Sequence, residues 1–294
     1  VNTKRWIIKD LLTVTTDYLR DKNIENPRLC AETLLAHQLN TSRIKLYLAF
    51  DQPLNQTDIT NYRSLIRRRA NREPTQHITG IQEFRSLEFM VESHVLIPRP
   101  ETEILVEQVL SICHDRTSME ETSTAILDLG TGSGAIAVSL AMELQGAAIW
   151  ASDISREALT LAQINSKKHG VNDRIVFIQG DLFQPFSKNN LKLDIIVSNP
   201  PYVALEAYDS LPPEVKDYEP RLALDGHEGG NFFIEKIIME APAYLKPGGW
   251  VLIEMDPGQT SKALNMIQER ECYIEKRCIK DYSQKDRVVM ARTR

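Results

Sequence analysis

Ala125-Ile126-Leu127-Asp128-Leu129-Gly130-Thr131-Gly132-Ser133-Gly134 is the stretch on which the fold turns. An apolar run enters three glycines spaced by single residues. Ala135-Ile136-Ala137-Val138-Ser139-Leu140 follows with helical composition, so the segment predicts a strand, a tight turn and a helix. Glycine in such a turn permits left-handed backbone angles and lets a ligand approach the main chain closely. Ala147 to Ser152 reads as the next strand, and Asp153 closes it 18 residues after Ala135, where an acid can take both ribose hydroxyls of a nucleoside.

The loop alone is ambiguous. Gly130, Gly132 and Ala135 also satisfy the relaxed dinucleotide fingerprint, so they do not separate NAD from S-adenosylmethionine. Three features tilt the choice toward S-adenosylmethionine, with Gly130, Thr131, Gly132, Ser133 and Gly134 as its cradle. Asp128 stands where a carboxylate can face the amino group of a methionine moiety. Asp181 and Leu182, after a third strand at Ile175 to Ile178, offer a carboxylate and an apolar wall to an adenine. Turn or helix-cap aspartates are the competing explanation for Asp153 and Asp181.

The third feature is Asn199-Pro200-Pro201-Tyr202, which directly follows the apolar run Ile195-Ile196-Val197-Ser198. Asn199 and Pro200 each precede a proline, which favours extended backbone, and both proline rings fix their own torsions. The Asn199 side-chain oxygen and the Pro200 carbonyl are then two stiffly held acceptors, able to take both hydrogens of one planar NH2 group. Tyr202 is expected to offer an aromatic face to a flat amide or base, with its hydroxyl free to reach polar surroundings. The plainer explanation is a proline pair that merely ends a strand.

Strands near 125–129, 148–152, 175–178, 193–198 and 250–254 alternate with helices, which argues for an α/β, Rossmann-like doubly wound sheet with ligands at the strand carboxyl ends. Two late segments near 272–279 and 287–291 finish it as an antiparallel edge, and a turn is expected at Leu245 to Gly249. Residues 1–75 read as a small helical domain, with helices from Trp6, from Leu29 to Leu39 and from Asp58 to Asn71, the last capped by Thr57 or Asp58. Residues 76–96 read as a β-hairpin linker, and 97–294 as the catalytic domain. The irregular stretch 203–231 is expected to form a wall or lid beside the Asn-Pro-Pro-Tyr loop.

Composition bounds the remaining choices. The 294 residues are 42% hydrophobic and 26% charged, as in an ordinary globular protein. No apolar run is long enough to span a membrane and no signal pattern opens the chain, which points to the cytoplasm and to no membrane partner. Four cysteines without a C-x-x-C pair and six scattered histidines predict no metal. A net charge of −5 predicts no stable nucleic-acid complex, although Arg63, Arg67, Arg68, Arg69 and Arg72 cluster on one helix. Nothing demands more than a monomer.

Four segments, in this order, resemble the HemK-type release-factor glutamine N5-methyltransferases over nearly the whole chain. They are Ile97-Pro98-Arg99-Pro100-Glu101-Thr102-Glu103, the Asp128 to Gly134 loop, Asn199-Pro200-Pro201-Tyr202, and Glu219-Pro220-Arg221-Leu222-Ala223-Leu224. The first is the discriminating one, because the Asn-Pro-Pro-Tyr quartet also occurs in adenine and guanine N-methyltransferases. The resemblance implies a class I methyltransferase sheet and S-adenosylmethionine as cofactor, with S-adenosylhomocysteine as product. Its implied substrate is the Gln of the Gly-Gly-Gln loop in class I peptide-chain release factors, proteins of translation termination, with the N-terminal helical domain gripping that partner. Asn199, Pro200, Pro201 and Tyr202 are the expected catalytic residues, with Asn199 also near the cofactor. The alternative is N-methylation of adenine or guanine in RNA or DNA. The chain departs from the family pattern at Asp225-Gly226-His227-Glu228-Gly229-Gly230, which leaves the shape of that turn open.

Overall fold

A computed structural model describes residues 6–117, 123–187 and 191–294. It divides into two compact units: the chain to Ile81 together with Pro212–Tyr218, and Gln82–Leu211 together with Glu219–Arg294.

The first unit is helical: α1 (Ile8–Asp21), α2 (Pro27–Gln38), α3 (Arg43–Leu48), α4 (Gln56–Ala70) and α5 (Thr75–Thr79). Leu12 and Leu19 of α1, Leu34 and Leu35 of α2, and Tyr62 and Ile66 of α4 recur at helical spacing and close one core. Neither expected cap starts α4; Asn55 does, its side chain accepting the Asp58 N–H at 2.8 Å. At six residues α3 is too short to show a period in sequence. It is held by the buried Glu32 carboxylate, which takes hydrogen bonds from Arg28, Arg43 and Tyr47.

The basic helix is largely committed within this unit. Arg68 pairs with Glu73, while Arg69 and Arg72 both reach Glu214, which belongs to a short later helix in this unit (Pro213–Lys216). The Tyr218 hydroxyl donates to the Asn71 carbonyl at 2.6 Å. Arg63 and Arg67 remain exposed. Part of the irregular 203–231 stretch is therefore built into the helical unit.

The second unit opens on the hairpin β1 (Ile81–Phe84) and β2 (Leu87–Met90), followed by α6 (Glu103–Thr117). Then come β3 (Ala125–Leu129), α7 (Ala135–Glu143), β4 (Ala148–Asp153), α8 (Arg156–Lys168), β5 (Ile175–Gln179) and β6 (Leu193–Ser198). With the Pro213–Lys216 helix as α9, the chain finishes through α10 (Phe232–Tyr244), β7 (Leu245–Glu254), α11 (Thr260–Gln268), β8 (Tyr273–Lys280) and β9 (Asp286–Thr293). Among the described residues seven strands form one sheet in the order β5-β4-β3-β6-β7-β9-β8, parallel through β7 and antiparallel thereafter. This is the Rossmann-like doubly wound arrangement, with the last strand inserted between β7 and β8.

Side chains alternate across the sheet with the period of two that a strand imposes. Ile126, Ile195, Val197 and Leu252 face α6 and α7, whereas Leu127, Leu129, Ile196, Val251 and Ile253 face α10 and α11. Both faces are covered, which explains the continuous apolar runs. The expected turn at Leu245 to Gly249 is a bulge inside β7: pairing with β6 steps from Leu193↔Leu245 to Ile195↔Trp250. Among the described residues no helix is long and apolar enough to cross a membrane.

Candidate active site

β3 pairs with β4 on one side and β6 on the other, so the strand order reverses at the carboxyl ends of β3 and β6. A crevice opens there in doubly wound sheets. The two loops singled out in sequence both emerge at this point and line one cavity, with Gly130 to Ser133 on one wall and Asn199 to Pro201 on another. The Ser198 hydroxyl donates to the Leu129 carbonyl at 2.8 Å and ties the two strand ends together immediately before both loops.

The glycine loop is a cradle. Gly130, Gly132 and Gly134 all have positive φ, and a Cβ at Gly130 or Gly132 would project into open space, where a ligand can come against the main chain. Asn165 of α8, fully buried, holds the loop from behind through a donation from Nδ2 to the Ser133 carbonyl at 2.8 Å. Its amide also exchanges hydrogen bonds with both main-chain groups of Met90, joining hairpin, helix and loop. Nothing local in the sequence marks Asn165 for this task.

Asp153 borders the cavity at the end of β4, its carboxylate accepting the Gly132 and Ser155 N–H groups at 2.9 Å each. Burial raises its pKa while these backbone donors hold it down. Each oxygen keeps a further lone pair for a hydroxyl. Asp181 and Leu182 line the same cavity, as do Thr131, Ser133 and Gly134's neighbour Ala135. An open glycine cradle, an oriented carboxylate at a strand end and an apolar side chain beyond it fit the three parts of S-adenosylmethionine.

Asp128 is placed differently from the sequence expectation. It is fully buried beneath the loop rather than on the cavity wall, and its Oδ2 accepts the Thr131 hydroxyl at 2.7 Å and the Ala137 N–H at 3.2 Å. The carboxylate thus braces the loop and the first turn of α7, because at this register its side chain points inward. Burial pushes its pKa up to about 7, against the lowering effect of those two donors.

In the Asn-Pro-Pro-Tyr loop the Asn199 amide donates from Nδ2 to the Thr102 hydroxyl oxygen at 3.0 Å, which leaves Oδ1 as the free acceptor. Asn199 and Pro200 both line the cavity. Tyr202 departs from expectation. Its ring packs against the inner core, its hydroxyl makes a long 3.5 Å contact with Glu254 Oε1, and its carbonyl accepts Gln259 Nε2 at 2.9 Å. Burial and the neighbouring Glu254 raise the phenol's pKa, so it stays a neutral donor. Tyr202 anchors the loop, and the flat surface beside Asn199 is the proline pair.

The turn left open by sequence, 225–230, packs on that anchor. His227, Gly229 and Gly230 have positive φ, and a Cβ on Gly230 would stand 2.3 Å from the Tyr202 carbonyl oxygen. Gln259 Nε2 bridges the Tyr202 and Gly230 carbonyls at 2.9 Å each.

Two further acids, Glu219 and Glu254, are buried beside this site. Arg99 Nη2 donates to both oxygens of Glu219, at 2.6 and 2.7 Å, joining two of the family-like segments across 120 residues. The Glu219 side chain is 1% exposed and Arg99 is 31% exposed. Burial raises the Glu219 pKa although Arg99 works against it. Glu254, the last residue of β7, is buried behind Thr102 and Tyr202. Burial lifts its carboxyl to about 7, with Thr102, Arg287 and Tyr202 lowering it and Glu101 raising it. The strand-end rule that drew attention to Asp153 applies equally to Glu254 and could have found it.

Comparison with known proteins agrees with both units. Residues 10–80 match the PrmC N-terminal domain and residues 103–211 the methyltransferase small domain. A release factor glutamine methyltransferase of Geobacter sulfurreducens is 43% identical, over 89% of this chain and 88% of its own. One from Rhodopirellula baltica is 37% identical over 98% and 97%. The catalytic domain of hMettl16, solved with the MAT2A 3'UTR hairpin 6, shares the fold at a TM-score of 0.53, with 16% identity over 81% of this chain and 82% of that one. The chain belongs to the release factor glutamine methyltransferase family.

Proposed function

We propose that this protein transfers a methyl group from S-adenosylmethionine to the side-chain amide nitrogen, N5, of the Gln in the Gly-Gly-Gln loop of class I release factors. Family membership supports the reaction and substrate class. What supports the chemistry is Asn199, held through its own nitrogen so that its oxygen is left over, with Pro200 beside it on the cavity wall; in this reading that oxygen and the Pro200 carbonyl receive a planar NH2 group.

When bound, S-adenosylmethionine supplies an electrophilic methyl carbon and leaves as S-adenosylhomocysteine. Gly130 to Gly134, Asp153, Asp181 and Leu182 are the residues that would hold it. A carboxamide nitrogen is a poor nucleophile because its lone pair is delocalised into the carbonyl. Asn199 and Pro200 accept both N–H bonds, direct the lone pair across the amide plane, and stabilise the nitrogen as it gains positive charge. The methylated amide cation is strongly acidic, and water takes its proton without a dedicated base.

Asn199→Ala tests the reading. The rate of methyl incorporation into purified release factor, followed by mass spectrometry of the Gly-Gly-Gln peptide, is expected to fall about 100-fold or more, with cofactor affinity retained. A parental rate in this variant refutes the acceptor pair. Labelled methyl appearing only in RNA or DNA refutes the substrate.

A further inference from the structure

We propose that Arg99 is a cofactor-binding residue, its unused guanidinium N–H groups taking the carboxylate of the methionine part of S-adenosylmethionine. This rests on S-adenosylmethionine being the methyl donor. It assigns the one anionic group of that molecule, which the glycine cradle, Asp153, Asp181 and Leu182 leave without a charged partner. Asp128, the acid expected beside the methionine part, is sealed beneath the loop.

Charge points to Arg99 first. The cavity wall carries two carboxylates, Asp153 and Asp181, and Arg99 is the only Lys or Arg among its described residues. An anion brought against two acids with no cation to meet it is costly to desolvate. A guanidinium is a permanent cation whose planar N–H fork matches a carboxylate. His94, the other basic side chain on the wall, already has Glu92 Oε2 at 3.6 Å from its Nδ1.

Position agrees with charge. Across the sheet the strands run β5-β4-β3-β6. Asp181 and Leu182 follow β5, Asp153 ends β4, the glycine loop follows β3 and Asn199 follows β6. With adenine and ribose at the first two stations, the amino-acid tail extends over the glycine loop toward β6. Arg99 is tied to that end, because the Thr102 N–H donates to the Arg99 carbonyl at 3.1 Å and the Thr102 hydroxyl receives Asn199 Nδ2 at 3.0 Å.

Arg99 is also held without being used up. Both hydrogen bonds to Glu219 leave from Nη2, at 2.6 and 2.7 Å, and among the described residues Nε and Nη1 donate to nothing. The side chain is 31% exposed. The buried Glu219 thus fixes the guanidinium in advance, which spares the ordering cost when an anion arrives.

The test is calorimetry at pH 8 with S-adenosylmethionine and with its decarboxylated form, which keeps the adenosine, the sulfonium and the amine. Losing Arg99 alone strands the Glu219 charge, so Arg99→Met/Glu219→Gln is compared with Glu219→Gln and with the parent, circular dichroism checking the fold. The parent and Glu219→Gln should bind S-adenosylmethionine about tenfold or more tightly than the decarboxylated form. The double variant should lose that preference by weakening toward S-adenosylmethionine only. Equal weakening toward both ligands marks a merely structural role and overturns the proposal. A preference that survives without Arg99 assigns the carboxylate to the glycine-loop N–H groups and also overturns it. So does a loss confined to KM for release factor, which would give the guanidinium to the protein substrate. Should the double variant not fold, Arg99→Lys decides: it keeps a cation beside Glu219 but has no second nitrogen to offer, so an unchanged preference overturns the proposal. A parent that binds neither ligand overturns the cofactor reading itself, whereas one that binds both equally overturns only the role of Arg99.

Discussion

Replacing Arg99 with Met should destabilise the sheet-containing unit by an amount that depends on pH. Glu219 is 1% exposed and its two oxygens take 2.6 and 2.7 Å hydrogen bonds from one guanidinium nitrogen. Removing one partner of a buried pair costs about 3–5 kcal/mol, because the charge left behind is neither solvated nor paired. At roughly 2–4 °C per kcal/mol for a unit of this size, the melting midpoint should drop by about 10 °C at pH 8. Without Arg99 the folded Glu219 pKa, already raised by burial, rises further above its unfolded value. The folded state then keeps a proton that the unfolded state has released, so stability falls as pH climbs from the unfolded pKa through the folded one, by about 1.4 kcal/mol per unit. Thermal unfolding followed by circular dichroism should therefore show a smaller deficit at pH 5 than at pH 8. Adding Glu219→Gln should restore more than half of the pH 8 loss. The reverse order matters too: Glu219→Gln alone should be mild, because Arg99 is 31% exposed and can be hydrated. An equal deficit at both pH values, or no recovery in the double variant, would refute the buried-charge argument.

Three other outcomes follow from the geometry. The folded Asp128 pKa of about 7 lies above its unfolded value, so its contribution to stability is present below about pH 4 and lost as pH rises through about 7. Asp128→Asn should flatten the urea-midpoint curve over that window, and identical slopes would count against it. Gly132→Ala and Gly134→Ala should fail in different ways. Gly132 has open space beside it, so a methyl there should weaken calorimetric S-adenosylmethionine binding about tenfold at a strain cost of about 1–2 kcal/mol. At Gly134 the methyl would meet Ala162 Cβ at 3.0 Å, so the larger loss should be in stability, by about 1–3 kcal/mol beyond strain. Glu214→Gln, which leaves the 7%-exposed Arg69 side chain without its carboxylate, should cost the helical unit about 2–3 kcal/mol. Trypsin cleavage at Lys216 should accelerate, and an unchanged cleavage rate would mean that the ion pair does not hold this segment.

What the amino-acid sequence determined by itself is what local chemistry dictates. Three glycines after an apolar run, two prolines after another, and acids at successive strand ends define a doubly wound sheet and place both loops at one crevice. Strand period, turn residues and strand-end position act over a few neighbours, and a one-dimensional reading sees them. It also found the family-like segments, but not why they occur together. That reason is tertiary: Arg99 reaches Glu219 across 120 residues, and Asn199 reaches Thr102 across 97. Tyr202 was read as offering its face to the substrate because its neighbours are on the cavity wall; its ring packs into the core instead. Asp128 was read as facing the ligand because it precedes the glycine loop, but its side chain turns beneath that loop to Thr131 and Ala137. Of the clustered Arg63, Arg67, Arg68, Arg69 and Arg72, folding pairs Arg68 with Glu73 and sets both Arg69 and Arg72 against Glu214, which spacing along the chain does not show. For Asp128, Glu219 and Arg69 the deciding term is whether a buried polar group finds a partner, which depends on atoms brought together by folding and not on spacing along the chain.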